Sequence, residues 1–438
     1  MAQPGSASGL GPEGRRFKSS LPDHMSRIAI NIAMSKNNIY TILDIGTAKT
    51  LCLMTRITNK EEPEVIGMGH VPSQGINSGT VTDIKKAAAA VEIAARDAEQ
   101  MAGEKISQVY LSVSGHNTFS LISKVEVMTE SGKITEHDMQ NLTRKGLITE
   151  KNNISIIHCI PIDYTVDGLK GISNPAGMQG KRLGARLHII AAHKSRLRNI
   201  SQCLAQCGIN ITDHIASAYS TGFACLDQNE RDIGSIMLDI GAKNTTIAAY
   251  QDNNMIYSDF VPLGGLHITK DIACGLSISI EQAEKVKTSY GSALENINNQ
   301  NELVEISDSG NSQQNILVPK TTINGIINAR AEEIFELVRD KLKDERIDES
   351  ITGRVVLTGG CSKLLKIQEL AARIMHAHTR IGVAATIKGI EENDLSYTAA
   401  IGTIMFIKEQ SGVKSKVIQR QKKGFIENFW QWIKEATT

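Results

Sequence analysis

Thr41-Ile42-Leu43-Asp44-Ile45-Gly46-Thr47 reappears in altered form as Ile236-Met237-Leu238-Asp239-Ile240-Gly241-Ala242. Each copy is an apolar run ending in Asp and Gly, followed by a second β-prone stretch, Thr50 to Ile57 and Thr245 to Tyr250. That order predicts a β-hairpin whose tight Gly turn brings backbone N–H groups up to an anion, with the Asp at the strand end. Asp and Gly are ordinary turn residues, so one copy alone would signify little. Two copies predict two related halves facing across a cleft, with one Asp on either side of a nucleotide's phosphates. A third element, Arg354-Val355-Val356-Leu357-Thr358-Gly359-Gly360, is a buried strand ending in a Gly pair. Gly359 and Gly360 would let the backbone approach a base or ribose closely.

At 438 residues the chain can build two domains, each with its own core. Hydrophobic content of 41% and charged content of 22% are globular values. A net charge of +1 argues against nucleic acid as a partner. The charge is unevenly spread: from Ser411 onward six basic residues stand against Glu427 and Glu435, so this tail carries +4 and the rest −3. The seven cysteines are scattered and odd in number, which reads as free thiols of a reducing cytoplasm. No apolar run reaches the roughly 18 residues a spanning helix needs. Residues 1–38 are read as a disordered leader, because the first 25 are rich in Gly, Ser and Pro without an apolar segment.

Along the chain, a helix is expected from Asp83 to Met101, with Asp83 as its cap and Gly103 as its stop. Alternating stretches follow at Gln108–Ser114 and Ser120–Val127, then a helical segment at Glu136–Gly146 and a strand at Ile154–Ile162. With too little helix for a βαβ continuation, 107–185 reads as an inserted α+β subdomain. Arg186 to Ala192 reads as a strand returning to the first domain, which then comprises 39–106 and 186–231. The second domain is placed at 232–410. Within it, Asn296–Gln314 reads as a solvent loop, and Ile326–Leu342 shows helical periodicity. A basic linker, 411–423, and an amphipathic helix, 424–438, complete the chain.

Asp44 and Asp239 would repel phosphates directly; their natural role is to hold hydrated Mg²⁺, and Asp239 could orient an attacking water. Lys49 could neutralise phosphate charge, with Gly46, Thr47, Gly241, Lys243 and Asn244 completing the two turns. Val261-Pro262-Leu263-Gly264-Gly265 ends a strand in glycines and opens a helix, placing Gly264 and Gly265 beside the nucleotide. On the next helix Glu284 and Lys287 lie one turn apart, as ribose grips or as a solvated pair.

These residues resemble the actin-like ATPase superfamily, whose two phosphate motifs and adenosine motif match Asp44–Lys49, the Asp239 loop and Leu357–Gly360. Within it the chain is similar to the bacterial cell division family FtsA. Val109–Gly115, Gly171–Met178 and Pro262–Ala273 carry that narrower likeness, which spans about residues 40 to 408 plus the tail. The resemblance implies an actin-like (ribonuclease H-like) two-domain α/β fold that binds ATP with Mg²⁺. It further implies a filament of copies of itself, other division proteins as partners, and the C-terminal peptide of FtsZ docked on the second half, for which the helix bearing Arg330 and Glu333 is selected. One departure stands out. The family follows its second Asp-Ile-Gly with small residues, Thr and an acid, whereas here Lys243 and Thr246 intervene, which predicts tight binding with slow or undetectable hydrolysis. Rival readings are a sugar or acetate kinase of the same superfamily, a chaperone ATPase, or the pilus-assembly ATPase.

The tail is an independent signal. Both tryptophans of the chain, Trp430 and Trp432, lie in its last nine residues. At 100° per residue Phe425, Ile426, Phe429, Trp430, Trp432 and Ile433 share one arc, opposite Glu427, Asn428, Gln431, Lys434 and Glu435. After a basic lead-in, this is the pattern of a helix lying on a membrane; the family resemblance implies that this is the cytoplasmic side of the inner membrane at the division site. Six large apolar side chains contribute about 1.5 kcal/mol each when partly buried. Basic residues near an anionic surface add about 1 kcal/mol apiece, and ordering the segment costs about 1 kcal/mol per residue. A single tail therefore holds weakly, and several acting together in a polymer hold firmly.

Overall fold

The computed structural model describes residues 38–58, 62–147, 153–294, 302–307, 315–391 and 394–420. Both quoted repeats fold as the expected hairpins. The first half opens with β1 (Ile39–Ile45), β2 (Lys49–Arg56) and β3 (Glu64–Pro72), then a short hairpin of β4 (Ile76–Asn77) and β5 (Thr80–Val81). Helix α1 (Ile84–Ala102) is capped as read: Asp83 accepts from the Lys86 N–H at 3.1 Å, and Gly103 closes it with φ of 69°. Strand β6 (Gln108–Val113) pairs parallel with β1.

The insert comprises β7 (Thr118–Met128), α2 (Glu136–Leu147), β8 (Ile154–Val166), β9 (Leu169–Ile172) and β10 (Arg182–His193), with sheet order β7-β10-β8-β9. This corrects both edges of the expected subdomain. Gln108 to Val113, assigned to the insert, lie in the first-half sheet. Arg186 to Ala192, assigned to the first-half core, pair with β7 and β8. Alternation of apolar residues sets a strand's faces and leaves its sheet unspecified. The first half then resumes with α3 (Lys194–Gln206), β11 (Asn210–Ala216) and α4 (Ser217–Cys225).

After α5 (Gln228–Ile233), the second half contributes β12 (Ser235–Ile240), β13 (Thr245–Gln251) and β14 (Asn254–Val261), then α6 (Gly265–Leu276) and α7 (Ile280–Tyr290). Next come β15 (Leu303–Ser307), inside the stretch read as a solvent loop, and β16 (Asn315–Pro319), which begins where that stretch ends and pairs with β15 as a hairpin. Its apolar residues, Val304, Ile306 and Val318, are buried in the second-half core, which overrides the polar composition around them. The half ends with α8 (Lys320–Asp344), α9 (Glu349–Thr352), β17 (Arg354–Thr358), α10 (Ile367–Met375) and β18 (His378–Ile381).

The two main sheets have one topology. The order β3-β2-β1-β6-β11 is repeated as β14-β13-β12-β17-β18, with the same antiparallel and parallel pairings. The last helix, α11 (Thr398–Arg420), joins the first half: Ala400, Ile401, Ile404, Phe406 and Ile407 are buried in the core that holds β1 and α4. Gly402 makes this crossing possible, since a Cβ there would lie 1.9 Å from the Ser220 carbonyl of α4. The second domain therefore does not run to 410 as expected. The helical backbone also extends through Arg420, so most of the expected 411–423 linker is helix. Residues 1–37 and the tail 424–438 lie outside the described residues. Among the described residues, no helix is long and apolar enough to cross a membrane.

The insert is keyed to the second half by His188, whose side chain is fully buried. Its Nδ1–H donates to the Met255 carbonyl at 2.8 Å and its Nε2 accepts from Ser120. Burial pushes its pKa down to about 4, against the opposing pull of the Met255 carbonyl. As pH falls below 6.5 the unfolded chain takes up a proton that the native protein refuses until about pH 4. Stability is therefore lost across that interval. Relative to His188→Gln, which cannot titrate, the wild type is expected to lose about 2–3 kcal/mol between pH 7.5 and 4.5. Urea melts of both proteins at the two pH values check this, and parallel losses would refute it.

Candidate nucleotide site

The facing turns are built alike. The Gly46 N–H donates to the Lys49 carbonyl at 2.9 Å, and the Gly241 N–H donates to the Asn244 carbonyl at 2.9 Å. Inside each turn the N–H groups of Thr47 and Ala48, and of Ala242 and Lys243, have no partner among the described residues. Such consecutive free donors form an anion-binding nest. The Asn244 side-chain oxygen is likewise buried without a partner.

The carboxylates crowd one another. Asp44 sits opposite Ser112 in the β1–β6 ladder, and Asp239 sits opposite Thr358 in the β12–β17 ladder. Burial, with Asp44 adding to it, raises the pKa of Asp239 to about 6. Burial raises that of Asp44 as well, opposed by Lys49 and Ser112. Lys49 is the built-in counter-charge. Burial lowers its pKa to about 8 against the pull of Asp44, Asp394 and Asp239. Its ammonium donates to the Ser396 carbonyl and lies 4.0 Å from the Tyr397 ring centre. Two half-buried acids sharing one lysine fit a divalent cation that approaches through water. Asp44 and Asp239 would hold that ion's water shell, and the free turn N–H groups would take phosphate oxygens.

Gly359 has φ of 85°, and a Cβ on it would lie 2.2 Å from Asp239 Oδ1. Its freedom is therefore used by the chain itself, to seat β17 against the second turn, and Gly360 starts the short helical turn that follows. Gly264 and Gly265 act similarly. Gly265 and Leu266 donate their N–H groups to the Gly241 and Ala242 carbonyls, at 2.9 and 2.7 Å, stapling α6 onto the turn.

Glu284 and Lys287 form neither a solvated pair nor two open ribose grips. Lys287 is buried and donates to Glu284 Oε2 at 2.7 Å, Thr269 Oγ1 at 2.9 Å and the Gly265 carbonyl at 3.2 Å. Thr269 also donates to Glu284 Oε2 at 2.5 Å. The trio locks the first turn of α6 to α7, leaving the half-exposed Glu284 its other oxygen for a ligand. Lys243 reaches away from its own turn: its ammonium donates to Asn77 Oδ1 of the β4–β5 hairpin at 2.6 Å, bridging the two halves. Arg330 is held by Asp271, at 2.5 Å, and by Glu333. The residues expected to face a membrane, Phe425, Ile426, Phe429, Trp430, Trp432 and Ile433, lie outside the described residues.

Sequence reasoning missed the loop before α11. Lys363 pairs with Asp394 at 2.8 Å; although burial works against it, that bond and those from Ser396 hold Asp394 at about 2. Tyr397 hydroxyl and His70 Nδ1 are 3.2 Å apart. No motif marks these residues, because they reach the site through the return of α11. Among the described residues, no group of three or more His, Cys, Asp or Glu could cage a metal. All seven cysteines are free thiols.

Two family models match: "Cell division protein FtsA" over residues 236–402 and "SHS2 domain inserted in FTSA" over residues 115–191. The second agrees with the strand pairing, which places β6 before the insert and β10 within it. The chain is 30% identical to the cell division protein FtsA of Rhizobium meliloti (strain 1021), over 85% of this chain and 87% of the relative. It is 31% identical to that of Bacillus subtilis (strain 168), over 90% and 87%. For Escherichia coli (strain K12) the figures are 29%, 84% and 90%. Among solved structures, the PilM-PilN type IV pilus biogenesis complex gives a TM-score of 0.59 at 16% identity, covering 84% of this chain and 98% of that one. MreB5 of Spiroplasma citri bound to ADP gives 0.52 at 15%, covering 87% and 99%. These structural likenesses show the actin-like fold.

Proposed function

The chain belongs to the FtsA family of cell division proteins, with the actin-like fold, and on that premise we propose that it is an ATP-binding scaffold of the division site. In this reading it binds ATP with Mg²⁺ between the halves and assembles into filaments. It lies peripherally on the cytoplasmic face of the inner membrane through residues 424–438, and tethers FtsZ there together with other division proteins. The observation that carries the nucleotide part is the paired turn geometry: identical Gly-closed turns, free N–H groups in each, and two crowded carboxylates around Lys49. When bound, Mg²⁺ would supply charge neutralisation for the phosphates. The protein's own residues orient the ligand and exclude water. Arg330 and Glu333 remain the proposed FtsZ-peptide contacts, with the Arg330–Asp271 pair fixing the guanidinium on the surface of α8.

The pilus-assembly reading shares the fold and is disfavoured by the family membership. A kinase reading would need a fast catalytic centre. Thr246, on β13 beside the second turn, is buried and carries no acid, so hydrolysis is expected to be slow. A steady-state phosphate-release assay should give turnover far below the about 10 per second typical of enzymes; a rate of that order would favour the kinase reading. Co-sedimentation with anionic liposomes tests the membrane part directly: the full chain should pellet, and the chain lacking residues 424–438 should stay in solution. Equal pelleting of both would remove it.

A further inference from the structure

We propose that the outer edge of β7 is a self-association site, pairing antiparallel with β7 of a second copy of this chain about a two-fold axis. β7 is the end strand of the insert sheet, bonded to β10 on one side only. A long unpaired strand edge is a template for another strand. Along it Ile122, Lys124, Glu126 and Met128 alternate on one face, all exposed, Ile122 at 50% and Met128 at 66%. Neither Lys124 nor Glu126 has an ion-pair partner among the described residues.

The backbone fixes which residues can pair. In an antiparallel ladder alternate residues turn both N–H and C=O away from the neighbouring strand. The Glu126 carbonyl turns outward, since it accepts from Lys145 Nζ at 2.8 Å. Ile122, Lys124 and Met128 share its phase, so they carry the outward groups too. Two copies can bond only in registers that set these residues opposite each other. Centring the axis on Lys124 puts Lys124 against itself, and centring it on Glu126 puts Glu126 against itself. Both are destabilising. Centring on Ser123 or Val127 leaves Glu126 facing an uncharged residue. Centring on Val125 sets Lys124 opposite Glu126 and Ile122 opposite Met128, each twice. The strand is thus complementary to itself in one register, and pairing there would join two four-stranded sheets into one.

Lys145 covers the outward carbonyl of Glu126 in the monomer, which blunts the edge. Its side chain is exposed and is displaced when an incoming N–H takes that acceptor. The contact is consequently weak in dilute solution and strengthens where copies are concentrated. It needs no nucleotide, so it is separable from assembly driven at the cleft.

Sedimentation velocity of the full chain, in EDTA without nucleotide or lipid, tests the proposal. The wild type should show a concentration-dependent dimer. Lys124→Glu and Glu126→Lys should each weaken it about tenfold, because two opposite-charge pairs become like-charge pairs. An equimolar mixture of the two variants should restore it, since an all-acidic edge then meets an all-basic one. Mg-ATP affinity by calorimetry should be unchanged in both, which confirms that they fold and keeps this test independent of the nucleotide reading. Absence of a wild-type dimer, single variants that dimerise like the wild type, or a mixture that stays monomeric would each overturn the assignment.

Discussion

Asp239→Asn is expected to make the ligand-free protein more stable while nearly abolishing its binding of Mg-ATP. The stability half follows from the raised pKa. Between about pH 4 and pH 6 the native protein keeps a proton on Asp239 that the unfolded chain has released, so stability falls as pH rises through that window. Above it, the ionised group carries a standing penalty of about 3 kcal/mol, part of which is shared with Asp44. Asn removes the charge and keeps the size. In EDTA at pH 7.5 the variant should therefore gain about 2 kcal/mol against urea, with the gain vanishing near pH 4. The binding half follows from the same charge, which has a purpose only when a cation sits between the two carboxylates. Losing one of two such groups should weaken Mg-ATP by about 100-fold, and Asp44→Asn should behave alike because its turn is the same. A buried control, Cys203→Ser, should leave affinity unchanged. Calorimetry giving wild-type affinity in both Asn variants would dismantle the two-turn site. A variant of unaltered stability would show that the carboxylates are not crowded.

Much of this architecture was legible because it is local. The Asp-Gly turns, the Asp83 cap and the Gly103 stop each depend on residues within a few positions, and all fold as their spacing predicts. The repeat itself disclosed the paired sheets. What stayed hidden depends on contacts distant in sequence. Arg186 to Ala192 is an apolar strand in either sheet, and only its pairing with β7 and β8 decides between them. α11 follows the second half in the chain yet packs in the first, through an approach at Gly402 that a helical pattern cannot reveal. Glu284 and Lys287 were recognised as a pair on one face, but their true neighbours, Thr269 and the Gly265 carbonyl, belong to another helix. Lys243 is similar: a lysine beside a phosphate turn suggests phosphate, whereas its ammonium bridges to Asn77 across the halves.

The return of α11 to the first half bears on the tail. Residues 424–438 follow the end of a helix anchored in the core of β1 and α4, so any force on the tail is delivered to the half that carries Asp44 and Lys49. Replacing both Trp430 and Trp432 by Ala is expected to release the protein from anionic vesicles while leaving Mg-ATP binding intact. Each large aromatic removed from a membrane interface forfeits roughly 1.5–3 kcal/mol. A single tail has little to spare, and because tails act together the loss is multiplied across an assembly. The same residues supply the readout. The chain has no other tryptophan, so a blue shift of emission on adding vesicles can come only from the tail. The wild type should shift and pellet, and the double variant should do neither. Unchanged wild-type emission together with a double variant that still pellets would refute the membrane reading and recast the tail as a docking helix for a protein partner. A shift that appears only at high protein density would instead confirm the multivalent logic, since single tails would then be too weak to insert alone.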